Sequence, residues 1–155
     1  MIKARYDWDL VIFGSGFAGC LMAMIARKRG YRTLILERHQ HPRITLGEST
    51  TPLTNLLLEE LAVTYELDFL HSLTRWGRWK KTHPAMKVGL KRGFTFYSHS
   101  NPPETEPNSS WQKELMVAAS PRDDLADTHW WREDLDLFLL KKAIEHGAHY
   151  WDQSQ

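Results

Sequence analysis

Asp9-Leu10-Val11-Ile12-Phe13-Gly14-Ser15-Gly16-Phe17-Ala18-Gly19-Cys20 is the stretch on which the fold turns. Leu10 to Phe13 is a continuous apolar run, the pattern of a strand buried on both faces of a parallel sheet. It leads straight into Gly14-x-Gly16-x-x-Gly19. Cys20 to Arg29 then has the composition of a helix, with basic residues in its last turn and Gly30 to end it. Tyr31 to Arg38 reads as a second strand that closes on an acid, Glu37, eighteen positions past Gly19. The three parts make a β-α-β unit with a dinucleotide fingerprint, and each has a physical reason. Gly14 permits the tight turn, Gly16 lets the backbone approach a pyrophosphate, and Gly19 lets helix and strand pack closely. The helix N-terminus, at Phe17 and Ala18, offers free N–H groups and a partial positive charge. The carboxylate of Glu37 can accept hydrogen bonds from ribose hydroxyls, which favours an adenosine without a 2′-phosphate. A glycine-rich turn with no ligand is the plainer alternative.

Outward from this unit, His39 to Thr51 holds no periodic pattern and reads as a loop. Thr51 as N-cap and Pro52 at the first helical position predict a helix from Pro52 to Ala62. A short helix is expected over Leu67–Thr74 and a strand around Gly93–Tyr97. Asn101 to Ser110 is a loop by composition. Trp131 to Ile144 has apolar residues at helical spacing, and a strand is expected near His149–Gln153. Arg122 to Trp130 is ambiguous.

The 155 residues are 42% hydrophobic and 25% charged, and 20 Lys+Arg against 19 Asp+Glu give a net charge of +1. That balance provides no global field for nucleic acid or an anionic membrane. No apolar stretch is long enough to span a bilayer, and the polar start has no signal-peptide core. A cytoplasmic location is therefore expected, without nucleic-acid or membrane partners. One cysteine, Cys20, excludes a disulfide framework and a Cys-based zinc site, and the histidines show no metal-ligand spacing, so no metal is expected.

Three segments carry a family resemblance. The first is Gly47-Glu48-Ser49-Thr50-Thr51-Pro52, which enters a helix after the acid-ended second strand. Together with the N-terminal Gly-Ser-Gly-Phe-Ala-Gly, it resembles the flavin-dependent halogenases of the tryptophan-halogenase family. Their parent group is the FAD-dependent monooxygenases with a hydroxybenzoate-hydroxylase-like fold. The resemblance implies that Gly47, Glu48, Ser49 and Thr50 line FAD, with Arg38 and Arg43 close by, alongside Gly14, Gly16, Phe17, Ala18, Gly19 and Glu37. Taken alone, Ser49 to Thr51 serve equally well as an N-cap loop.

The second segment is Met86-Lys87-Val88-Gly89-Leu90-Lys91. It is similar to a halogenase pattern whose first lysine handles hypohalous acid, and on that resemblance Lys87 is the catalytic residue. An ammonium can hydrogen-bond and polarise such an acid toward electrophilic transfer. Lys80, Lys81, Lys87, Lys91 and Arg92 also form a basic stretch of the kind that is usually just solvated. The third segment is Arg132-x-x-Leu135-Asp136-x-x-Leu139, which looks like a helix preceding the third strand of the FAD sheet. In the parent group its arginine contacts the cofactor, and a guanidinium suits a pyrophosphate. The alternative is an i, i+4 ion pair between Arg132 and Asp136.

The expected fold class is α/β: a Rossmann-like, hydroxybenzoate-hydroxylase-like three-layer FAD-binding fold, incomplete on its C-terminal side. Residues 1–155 are expected to form the N-terminal part of an FAD-binding domain. They divide into a β-α-β unit over 9–38, an insert with helices and a strand over 52–120, and a helix and third strand over 131–153. The resemblance implies an oxidoreductase that uses FADH2, O2 and halide to halogenate a small aromatic substrate, served by a separate flavin reductase. The alternatives are an FAD-dependent monooxygenase or dehydrogenase without halogenation, and a non-catalytic FAD- or ADP-binding remnant. Downstream halogenase signatures do not occur before Gln155, so the chain is expected to be a portion of a larger flavoprotein.

Overall fold

The computed structural model describes residues 7–98, 114–118 and 120–154; the loop expected at 101–110 lies outside them. The order of elements begins β1 (Leu10–Phe13), α1 (Phe17–Lys28), β2 (Thr33–Leu36), α2 (Pro52–Thr64) and α3 (Trp76–Thr82). It continues with β3 (Val88–Lys91), β4 (Gly93–Tyr97), β5 (Glu114–Ala118), β6 (Asp127–Trp130), α4 (Arg132–Glu145) and β7 (His149–Trp151). The Leu67–Thr74 expectation is met by a 3-10 helix at Asp68–Leu73, and another 3-10 turn at Asp123–Leu125 resolves part of the ambiguous stretch.

β1, β2 and β7 form a parallel sheet in the order β1-β2-β7, with Ile12, Ile35 and Tyr150 in register across it. These three residues face the core, where α1 and α4 pack over the sheet. Small residues make the approach possible: Cys20 and Ala23 on α1 and Ala143 on α4 are fully buried, with Met24, Leu135 and Leu139 filling between them. Each helix ends in the same device. Gly30 and Gly147 adopt positive φ just past the helix, and the next amide returns to a carbonyl three residues before the cap, Tyr31 to Ala26 and Ala148 to Ala143.

The expectation that β1 is buried on both faces is not met. Val11 is 40% and Phe13 84% exposed, and in the same rows of the sheet His149 and Trp151 on β7 are exposed too, while Leu34 between Val11 and His149 on β2 is buried. Both helices cover one side of the sheet, so the continuous apolar run has cover for only alternate residues among the described ones. The layer that would complete a three-layer fold does not lie within the described residues.

The remaining strands form two antiparallel pairs, β3 with β6 and β4 with β5. The loop before α2 runs along the free edge of β6: the Trp130 amide donates to the Glu48 carbonyl at 2.8 Å and the Thr50 amide to the Thr128 carbonyl at 3.0 Å. This ladder ties residues 48–50 to a strand some 80 positions away. Thr51 then caps α2 with a reciprocal capping box to Thr54, and Pro52 takes the first helical position. Among the described residues, no helix is long and apolar enough to cross a membrane, and no cluster of His, Cys, Asp or Glu could hold a metal ion.

Candidate functional site

The glycine turn after β1 lies at the centre of the site. Gly14 has φ +97, outside the range that side chains tolerate, and its amide donates to the Leu36 carbonyl at 2.7 Å. A Cβ on Gly19 would stand 2.0 Å from the Gly14 carbonyl oxygen, so only glycine allows α1 to leave the strand this tightly. Gly16 is the N-cap of α1 and makes no side-chain cap bond, which leaves the first amides of the helix open. The Phe17 ring packs on Trp130, 4.9 Å between centroids, while Ala18 is exposed.

Glu37, at the end of β2, is 5% exposed and heavily engaged. Its Oε2 accepts from the Ser15 amide and hydroxyl, both at 2.8 Å, and its Oε1 accepts from the His39 amide at 3.0 Å. Burial alone would raise its pKa. The Ser15 and His39 donors and the Arg43 guanidinium at 3.1 Å outweigh that effect and hold the carboxyl at about 2. Because the Ser15 hydroxyl donates to Glu37, its oxygen accepts from His41 Nε2 at 2.6 Å. That places a hydrogen on Nε2, and burial together with the neighbouring Arg43 pushes the His41 pKa down, which favours the neutral ring.

Two arginines converge on Gly16. A Cβ there would lie 3.4 Å from Arg43 Nη2 and 3.5 Å from Arg132 Nη2. Arg132 opens α4 and forms a two-pronged pair with Asp136, Nε to Oδ1 at 2.9 Å and Nη2 to Oδ2 at 3.0 Å. Its Nη1 donates to the carbonyls of Leu46 and Gly47 at 2.9 and 3.0 Å, tying the loop to the helix. The ion pair of Arg132 with Asp136 is therefore present, and the same guanidinium stands at the glycine turn. Arg38, by contrast, is exposed beyond β2.

The loop residues divide. Gly47 has φ +100 and Glu48 is exposed, its carboxylate accepting from the Gly47 amide. The Ser49 hydroxyl bonds to His129 Nδ1 at 2.8 Å. The Thr50 hydroxyl is fully buried and donates to the Thr128 carbonyl at 2.9 Å, so it fastens the loop and has no hydrogen for a ligand. An open cleft beside this loop is walled by Ile44, Glu48, Trp130, Trp131 and Arg132.

Lys87 stands just before β3, exposed, with its ammonium 5.1 Å from the centre of the Trp131 ring and its amide on Asp134. Lys91, on the same strand face, is the buried lysine: 8% exposed, its Nζ donates to the Thr50 carbonyl at 2.5 Å. Ser15, His41 and His129 are residues at the site that spacing did not single out. Ser15 lies inside the glycine fingerprint; the other two owe their places to long-range packing.

A profile for a family described as NAD(P)-binding Rossmann-like domain matches residues 12–75. Monodechloroaminopyrrolnitrin halogenase PrnC from Pseudomonas fluorescens is 34% identical over 91% of this chain and 24% of its own length. Tetracycline 7-halogenase from Kitasatospora aureofaciens is 27% identical over the same shares. The crystal structure of halogenase PltM with phloroglucinol and FAD superposes with a TM-score of 0.79 and 30% identity, over 97% of this chain and 28% of that one. The chain thus spans about a quarter of the length of the relatives it matches. Sequence and fold together make this chain a flavin-dependent halogenase-like one, corresponding to the N-terminal part of that family.

Proposed function

We propose that the chain forms the nucleotide-binding front of a flavin-dependent halogenase and that FAD is the group it holds. The observation that carries this reading is the convergence of the Arg43 and Arg132 guanidiniums on Gly16, beside the open amides of α1 and the carboxylate of Glu37. Guanidiniums and helix-start amides suit a pyrophosphate, and an ionised carboxylate suits ribose hydroxyls. The residues fit the group, since the Gly16 position is open only because it has no Cβ. Gly14, Gly16, Arg43 and Arg132 would hold the pyrophosphate, Glu37 the ribose, and the cleft beside Gly47–Ser49 the flavin end. The fully engaged Thr50 and the exposed Arg38 take no direct part.

When bound, FAD would supply the redox chemistry with oxygen and halide by which an electron-rich aromatic is halogenated. In this reading, the protein orients the cofactor, and Lys87 hydrogen-bonds the electrophile next to Trp131. The whole protein would act in the cytoplasm with a separate flavin reductase. One observation favours a second reading, an FAD-dependent oxidoreductase in which Lys87 plays no part: its ammonium is solvent-exposed rather than desolvated. Halide-dependent product that disappears in Lys87→Ala supports the first reading; halide-independent oxidation supports the second.

Titration of the chain with FAD, followed by quenching of flavin fluorescence, tests cofactor binding itself. Saturable binding that disappears in Gly16→Val is expected. A wild-type chain that takes up no FAD overturns the proposal.

A further inference from the structure

We infer that Asp136 is a positioning residue: it aims the guanidiniums of Arg132 and Arg43 at the glycine turn, without itself touching the ligand. The inference rests on the FAD reading above and extends it to a residue with no ligand contact of its own.

Of the five N–H groups of Arg132, Nε and one on Nη2 go to Asp136, and the two on Nη1 go to the Leu46 and Gly47 carbonyls. The one left belongs to Nη2, the atom 3.5 Å from the Gly16 Cβ position. Arg43 lies on the other side of the same carboxylate, within ion-pair distance but without a hydrogen bond to it. Its Nη1 faces the Thr45 hydroxyl and Asp136 Oδ2, the latter at 3.7 Å, and its Nη2 reaches Glu37 and lies 3.4 Å from the same Gly16 position. Asp136 is fully buried one turn into α4, and it is the one acid that faces both arginines from that helix. A carboxylate beside an anion site looks counterproductive. Its value is that a fork locked on a carboxylate presents its remaining N–H in a fixed direction, so little freedom is lost when a phosphate arrives.

Coulomb's law and positioning predict opposite signs for one substitution. Asp136→Asn keeps the side-chain shape and removes a negative charge from beside the ligand. If charge alone mattered, FAD would bind more tightly. If Asp136 positions the arginines, FAD binds more weakly, by about tenfold or more. FAD titrations of wild type and Asp136→Asn, run below the unfolding transition of each, read the sign. Glu145→Gln removes the same charge from an exposed site on the same helix and is expected to leave the affinity unchanged. Equal or tighter binding by Asp136→Asn overturns the inference while leaving the FAD reading intact. A wild type that binds no FAD overturns both. If Asp136→Asn does not fold, ¹⁵N NMR of the wild type decides. An Arg132 Nε–H signal protected from exchange both without and with FAD is expected; its loss on FAD binding means that the guanidinium leaves Asp136, and the inference fails.

Discussion

The Ser15 amide and hydroxyl both donate to one oxygen of Glu37, each at 2.8 Å, across 22 positions of sequence. The bonds fasten the end of β2 to the glycine turn after β1, and they make folding depend on Glu37 being ionised. Its folded pKa of about 2 lies below the ordinary 4.5. The stabilisation is therefore complete above about pH 4.5 and is lost as pH falls toward 2. At neutral pH it amounts to about 3 kcal/mol. Urea unfolding across this range will show a stability that declines with acidity in the wild type. Glu37→Gln will be less stable at pH 7 and will lose the part of that decline due to this group.

Two glycines three positions apart will respond differently to alanine. At Gly19 a methyl would meet the Gly14 carbonyl at 2.0 Å, and at Gly16 it meets nothing closer than 3.4 Å. Gly19→Ala will cost about 2 kcal/mol or more of stability in chemical denaturation. Gly16→Ala will change stability by less than about 1 kcal/mol yet weaken FAD binding, because the methyl occupies the ligand's approach.

The lysines on the β3 face will also separate. Lys87→Ala, at an exposed site, will alter stability by about 0.5 kcal/mol or less, so any loss of halogenation in the whole protein is chemical in origin. Lys91→Met removes the donor to the buried Thr50 carbonyl and will cost about 1–3 kcal/mol. Thermal melts of both variants check this contrast.

Cys20 is fully buried, and its thiol bonds to the Ser15 carbonyl. Burial, reinforced by nearby Asp136, pushes its pKa up to about 12. The folded chain will therefore resist thiol-directed alkylation at pH 8, and modification will rise with the unfolded fraction in urea. Rapid labelling without denaturant would contradict the packing described for α1.

Much of this was legible in the sequence because it is local. The β-α-β unit announces itself through Leu10–Phe13, the three glycines and Glu37, and the helix at Pro52 through its cap. Arg132 was legible as a motif residue; packing pairs it with Asp136 and places its Nη2 beside the Gly16 turn. What was hidden depends on contacts across long separations. The 48–50 loop lies on β6, which turns the Thr50 hydroxyl inward and buries Lys91 while Lys87 stays in solvent. His41 has no spacing signal, since only the turn at Gly14 brings Ser15 to it. The short helix Trp76–Thr82 has no strong apolar period, and what holds it is the fully buried Trp79. The apolar run of β1 suggested cover on both faces, and sequence alone does not reveal that its helices lie on one side.

In the proposed FAD site, the Gly16 turn, with Glu37, Arg43 and Arg132, grips the adenosine diphosphate half of the cofactor. Competition against bound FAD tests this, with ADP and FMN as rivals and flavin fluorescence as the readout. ADP is expected to displace FAD at concentrations where FMN does not, and Arg132→Ala to abolish the ADP effect. Displacement by FMN alone, with ADP inert, would contradict it.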